Sequence, residues 1–320
     1  MKWFCIAGPL FLHLDSGYHL IRRTTFMKRH FDRIHCTGCG NCIRFCPKGI
    51  LKLSTVPDEQ GIYITVTDED ACISCRSCET MCTRGAFWFS DTDEMPEDIR
   101  IMGRESLPDH AGCQFGIMAH MLSRAIVNLG IEDTVTIFRS DRSEANLLVD
   151  SRGFEAPYFF EEALRFKQEH PERIVVIFYS DPKAGPHENA KERFKNLKDE
   201  KITLIHCLGY FEQTDDYQGY RIPSEHLAEQ MAQKEGASYI ARGNLTTVPD
   251  TLKTERYMEE ALRRQMRGEG FSVVEIIFPC FFRLEDRPKD PITPETRGRI
   301  HQWFSDSIVP EFRPGILKEK

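Results

Sequence analysis

The sequence predicts an α/β protein in two parts: a small cysteine-rich unit near the N-terminus, then a larger domain built on a parallel sheet. Three observations predict this. Eight cysteines occur as two copies of one spacing, at a constant offset of 36 residues. After residue 108 the texture changes, and apolar runs of strand length alternate with amphipathic stretches of 10–18 residues. Residues 173–179 and 271–278 are apolar almost throughout, as strands are when helices cover both faces of a parallel sheet.

The length of 320 residues fits about two domains. Hydrophobic content of 41% beside 28% charged residues suits a soluble protein with a sizeable core. A net charge of −7, without a long Lys/Arg block, argues against a nucleic-acid partner. Residues 3–14 are apolar and follow Lys2, as in a secretion signal. However, Pro9 interrupts them, His13 and Asp15 close them, and no small-residue cleavage site follows. A dozen residues is also too short to cross a bilayer. Residues 1–33 therefore read as an N-terminal extension, or the chain properly starts at Met27, and Cys5 takes no role there.

Residues 34–90 hold the repeat: Cys36, Cys39, Cys42 and Cys46, then Cys72, Cys75, Cys78 and Cys82. The spacing C-x2-C-x2-C-x3-C is the ligand run of bacterial ferredoxins, and two copies imply two [4Fe–4S] clusters. Three sulfurs of a run reach one cube while the fourth points to the other. Cluster 1 is therefore assigned Cys36, Cys39, Cys42 and Cys82, and cluster 2 Cys72, Cys75, Cys78 and Cys46. Zinc is the competing reading of C-x2-C pairs, but two four-residue sets with this x3 tail do not resemble a zinc ribbon. Cysteines at cluster spacing point to a reducing, anaerobic cytoplasm.

The two halves differ. Gly38, Gly40 and Asn41 surround the first loop, where Ser74, Arg76 and Ser77 stand in the second. Pro47 follows the first run and Thr83 the second. Arg76 either lies close to cluster 2, favouring its reduced form, or is a solvated surface arginine. Small helical turns are expected at 47–50 and 83–87, with a strand pair near 51–54 and 61–67 between them.

Residues 91–108, acidic and carrying Pro96 and Pro108, read as a linker. In the domain at 109–320, helical periodicity over 115–129 stops at Gly130, a C′ glycine. A short β-rich run follows at 134–138, a helix at 159–170, a buried strand at 173–179, a helix at 188–197 and a strand at 202–208. Residues 224–235 begin with a Ser cap and end at Gly236, and 250–267 form a long amphipathic helix before the strand at 271–278. Loops at the carboxyl ends of such strands are where function is normally placed. Cys207, inside a strand, reads as a small core residue.

Several stretches carry a family resemblance: the segment from His110 through Cys113 to Gly116, the helix after it, Gly236 to Arg242, and Gly270 to Cys280. They resemble the β subunit of 2-oxoacid:ferredoxin oxidoreductases, which has a thiamine-diphosphate-binding-type parallel α/β domain. The resemblance implies oxidative decarboxylation of a 2-oxoacid on thiamine diphosphate and Mg²⁺. Electrons would leave through [4Fe–4S] clusters to ferredoxin or a similar carrier, with other subunits completing the complex.

The departures matter as much. A third cluster of that family would need four cysteines in this domain, but only Cys113 and Cys280 match; His110 and Arg142 stand at the other positions. The family's Gly-Asp-Gly diphosphate turn is replaced by Ser180-Asp181-Pro182. Asp181 is the remaining candidate Mg²⁺ ligand, or a turn residue ahead of Pro182. The second ligand should fall at 206–209, where no Asn or Asp occurs. Two functions follow: an iron–sulfur subunit of such an enzyme, or a non-catalytic electron relay and docking subunit whose α/β domain has lost the cofactor.

Overall fold

The computed structural model describes residues 27–107, 111–140, 147–154, 158–180, 197–198, 200–210, 227–279, 294–310 and 312–320. The cysteine-rich unit runs β1 (Lys28–Phe31), α1 (Asn41–Phe45), β2 (Leu51–Leu53), β3 (Ile64–Val66), α2 (Ser77–Thr80) and β4 (Phe87–Ser90). β2 pairs antiparallel with β3, and β1 with β4. Residues 28–31 thus complete a sheet with the far end of the unit, although the sequence reading grouped them with the extension. Of the helical turns expected at 47–50 and 83–87, only short turns at 47–48 and 83–84 form. Short helices lie inside the cysteine runs instead, each started by a residue with positive φ, Gly40 at 77° and Arg76 at 60°. Wrapping three cysteines around one point requires the chain to curl there, before the last cysteine rather than after it.

The stretch read as a linker contains α3 (Glu97–Ile101) and a 3-10 turn at Arg104–Ser106. Ile99, Met102 and Leu107 are buried, so it is a packed connection.

The larger domain follows as α4 (Phe115–Leu129), β5 (Val135–Ser140), β6 (Asp150–Phe154), α5 (Phe159–Glu169), β7 (Ile174–Ser180) and β8 (Thr203–Tyr210). It continues with α6 (Leu227–Ala232), β9 (Ala237–Asn244), α7 (Val248–Met266), β10 (Phe271–Pro279), α8 (Pro294–Ser307) and β11 (Gly315–Glu319). Gly130 closes α4 at φ 62°, as its position predicts. Thr247 caps α7, accepting the Asp250 N–H. The helix expected at 188–197 lies outside the described residues apart from Leu197.

Seven strands form one sheet in the order β11-β9-β10-β8-β7-β5-β6, parallel throughout except β11 against β9. This is the mixed α/β architecture that the alternating texture predicts. One face packs on α4 and α7 through residues such as Ile117, Met258, Val176, Ile205 and Val274. The other packs on α5 and α6 through Phe160, Ala163, Met231, Ile177 and Val273. Near the carboxyl ends of β8 and β10, α8 covers Leu208, Tyr210 and Ile277 with Phe304 and Ile308. No helix of the described residues is long and apolar enough to cross a membrane.

The cysteine-rich unit sits on the α4–α7 face. Met81, fully buried, joins that core and accepts a hydrogen bond from the Thr251 hydroxyl at 3.5 Å. Phe45 meets His301 of α8 edge-on at 6.3 Å.

Candidate metal centres

The eight cysteines of the repeat line two separate cavities. The first is lined by Cys36, Cys39, Cys42 and Cys82 and the second by Cys46, Cys72, Cys75 and Cys78. Each therefore draws three cysteines from one run and the last cysteine of the other. Among the described residues no three His, Cys, Asp or Glu converge to hold a single metal ion. Four thiols arranged around a space suit a cube better than a tetrahedral zinc, whose ligands must meet at one point.

Backbone geometry explains how the chain reaches these positions. Gly38 and Gly40 have φ of 64° and 77°, and their counterparts Ser74 and Arg76 keep φ of 51° and 60° without the benefit of glycine. Such a conformation costs an ordinary residue roughly 1–3 kcal/mol, which the surrounding structure must offset. In the first loop there is no choice: a Cβ on Gly38 would come within 2.2 Å of the Ile62 carbonyl oxygen.

The donors facing the sulfurs are largely backbone. The Ala86 N–H donates to Cys82 Sγ at 3.1 Å, and the amides of Gly38 and Ile64 donate to Cys36. Asn41 lines the first cavity at 2% exposure, and its Nδ2 has no hydrogen-bond partner among the described residues. That orphaned donor fits a group carrying sulfide acceptors. Burial pushes the thiols of Cys36 and Cys42 up, that of Cys78 to about 12 and that of Cys82 to about 11. Iron would bind them as thiolates, its positive charge replacing the protons.

Arg76 is exposed, as the surface reading expects, and does not line the second cavity. Its guanidinium pairs with Glu79 at 2.5 and 3.0 Å, and the Glu79 carboxylate is buried, so the charge is spent locally. Arg29 and Lys48 are cations lining the second cavity, and the Arg29 side chain is 6% exposed and paired with Glu69. The Arg29 charge opposes the burial that raises Cys78. Sequence reasoning missed Arg29 because it sits on β1, far from either cysteine run along the chain.

In the α/β domain, Cys113 lies half-buried just ahead of α4, while His110, Arg142, Asp181 and Cys280 fall outside the described residues. Cys207 is fully buried in the core of β8. At the position expected for a second Mg²⁺ ligand, His206 is buried and stacks on Tyr179 at 5.3 Å. Tyr179, His206, Glu275 and Arg242 stand in register across β7, β8, β10 and β9. His206 Nδ1 lies 3.5 Å from Glu275, which is fully buried and accepts from Arg242 Nε at 2.5 Å. Arg242 also donates twice to Glu229, at 2.7 and 2.5 Å. Burial pushes the Glu275 carboxyl up, but His206 and Arg242 outweigh it and hold it below the usual range. Such a row needs tertiary pairing to be seen; in the sequence its members stand alone.

Residues 35–86 match the family of 4Fe-4S dicluster domains. An uncharacterized ferredoxin of Methanocaldococcus jannaschii is 40% identical over 55 residues, 17% of this chain and 68% of that protein. The subunits A of H(2):CoB-CoM heterodisulfide,ferredoxin reductase from Methanothermobacter thermautotrophicus and Methanothermobacter marburgensis are each 36% identical over 84 residues, 23% of this chain. The chain spans 12% of the length of those two relatives. A solved 2-oxoglutarate:ferredoxin oxidoreductase from Magnetococcus marinus, with 2-oxoglutarate, coenzyme A and succinyl-CoA bound, aligns with a TM-score of 0.41. It shares 15% identity and covers 62% of this chain and 77% of that one.

Proposed function

Since the chain belongs, through residues 35–86, to the 4Fe-4S dicluster ferredoxins, we propose that it is the electron-transfer subunit of a larger oxidoreductase, cycling two [4Fe–4S] clusters. Cys36, Cys39, Cys42 and Cys82 would hold one and Cys46, Cys72, Cys75 and Cys78 the other. The observation that supports this reading is the pair of cavities, each lined by four cysteines from both runs. Cys36 and Cys42 are buried while Cys75 is exposed, which suits an inner cluster and one near the surface for exchange with a soluble carrier such as ferredoxin. The 320-residue chain reads as an electron unit at 34–90 joined through 91–108 to an α/β domain at 109–320. Partner subunits fit the names of the heterodisulfide reductase relatives, which are themselves subunits.

A second reading adds 2-oxoacid chemistry on thiamine diphosphate. It is favoured by the residue patterns at 236–242 and 270–280 and opposed by the altered turn at 180–182. In the relay reading the α/β domain serves docking alone.

Anaerobic iron and sulfide analysis tests the main reading: about eight of each per chain is expected for two cubes. Bound zinc, or about four of each, would overturn it. Calorimetry with thiamine diphosphate and Mg²⁺ separates the two versions. Micromolar binding abolished by Asp181→Ala would restore a catalytic subunit, and no binding with partner chains present would leave the relay.

A further inference from the structure

We propose that the side-chain amide of Asn41 donates a hydrogen bond to the cluster in the first cavity and raises its reduction potential. The inference rests on the two-cluster reading. A buried amide without an acceptor is destabilising, and at 2% exposure Asn41 has no water to turn to, so it gains from an acceptor in the cavity. The cavity it lines offers sulfur: four cysteine thiols, and on cluster insertion the bridging sulfides.

The backbone holds the amide there. Asn41 is the first residue of α1, which begins directly after Gly40 turns the chain at φ 77°, and Cys42 follows at once. The second half lacks the amide. Its counterpart Ser77 has a shorter side chain, and its hydroxyl lies 3.4 Å from Cys75 Sγ, where it would donate to that one thiolate. The two repeats thus share a backbone path and differ in the polar side chain that lines the cavity.

The chemistry follows from charge. One-electron reduction adds a negative charge to the cluster, delocalised over its sulfurs. A donor to sulfur stabilises the reduced state more than the oxidised one, and the potential rises. No bond is made or broken and no proton moves; the amide shifts an equilibrium that the electron carrier reads.

The test starts from iron and sulfide content, then follows each cluster by EPR-monitored redox titration in the full chain. A wild-type chain without two clusters would overturn the functional reading itself. In a fully loaded Asn41→Leu chain, which keeps volume and loses the N–H, one midpoint should fall. The expected size is about a tenfold change in the oxidised-to-reduced ratio at fixed potential, or about 59 mV for a one-electron couple. The other midpoint should hold. Two unmoved midpoints, or two that move together, would overturn the inference. Should that variant fail to load, the unaltered chain with ¹⁵N in its asparagine side chains decides the matter. Pulsed EPR of the reduced protein should then show coupling to a side-chain amide nitrogen, and the absence of that coupling would overturn the proposal.

Discussion

The Cα of Gly116 lies so close to the carbonyl oxygen of Thr83 that a Cβ on residue 116 would come within 1.6 Å of it. Gly116 is in the first turn of α4, and Thr83 directly follows Cys82 of the first cavity. The α/β domain is therefore docked against the backbone of the cluster unit, with no side chain between them.

Gly116→Ala should force these two backbones apart. Overpacking of this kind costs about 1–3 kcal/mol, and more where neither backbone can yield. Thermal unfolding should begin lower, and the first cluster should bleach ahead of the second in aerobic decay. A variant as stable as the parent would show that the contact opens without cost.

Arg29 and Arg76 should behave differently towards the second cluster. Arg29 lines that cavity with its side chain buried and its partner Glu69 exposed, whereas Arg76 does not line it and pairs with the buried Glu79. Arg29→Gln removes a positive charge from beside the metal, so the midpoint of one cluster should fall while Arg76→Gln moves neither by a comparable amount. Redox titration of both variants is the check, and an equal response would refute the distinction.

A buried charge network joins α3, α4 and α7. His120 Nε2 lies 3.1 Å from Asp98 Oδ2 and 2.9 Å from Arg124 Nη2, while Arg124 Nε donates to Asp98 at 3.2 Å and its Nη1 to Glu255 at 3.0 Å. Burial pushes the Asp98 carboxyl up, but His120 and Arg124 outweigh it and hold it well below its ordinary 3.8. Burial and Arg124 lower His120 from 6.5. The unfolded chain therefore takes up a proton at His120 before the folded one does. Stability should decline as pH falls below about 6.5, with a further loss below about 4 as Asp98 is protonated. Glu255, raised above its ordinary 4.5 by burial, takes up its proton in the folded chain first and so offsets part of the His120 loss rather than the later one. Urea midpoints at pH 7.5 and 5.5 should differ less in His120→Gln than in the parent. Asp98→Asn should cost about 1.5–3 kcal/mol at pH 7.5, the worth of a hydrogen bond to a charged group.

Glu275→Leu should be among the most damaging single changes in the sheet. It leaves Arg242 buried with Glu229 alone, and removing one partner of a buried pair costs about 3–5 kcal/mol. Arg242→Met combined with Glu275→Leu should be less destabilised than Glu275→Leu by itself, because no unpaired buried charge remains. Chemical denaturation of the three chains reads the coupling directly.

The elements legible in the sequence were those with a strong local signal. α4 ends where Gly130 ends it, β10 shows its continuous apolar run, and α7 shows amphipathic periodicity up to Met266. Elements without such signals went unread. β6 is the polar edge strand Asp-Ser-Arg-Gly-Phe, β9 carries Arg242 and Asn244 among its apolar residues, and β11 is Gly-Ile-Leu-Lys-Glu, without alternation. Each is a strand because a neighbour pairs with it, which no local propensity records.

The same division runs through the candidate centres. The sequence by itself determined the cysteine repeat, because ligation by a cube imposes a spacing that survives in one dimension. It also determined the alternation of strands and helices, because burial on two faces imposes a periodicity. Tertiary structure alone decided that Arg29 faces the second cavity, that Glu79 neutralises Arg76, that Asn41 is left with an unanswered donor, and that Gly116 meets Thr83. Those facts depend on pairs separated along the chain, or on what surrounds a side chain, and such proximity is created only when the chain folds.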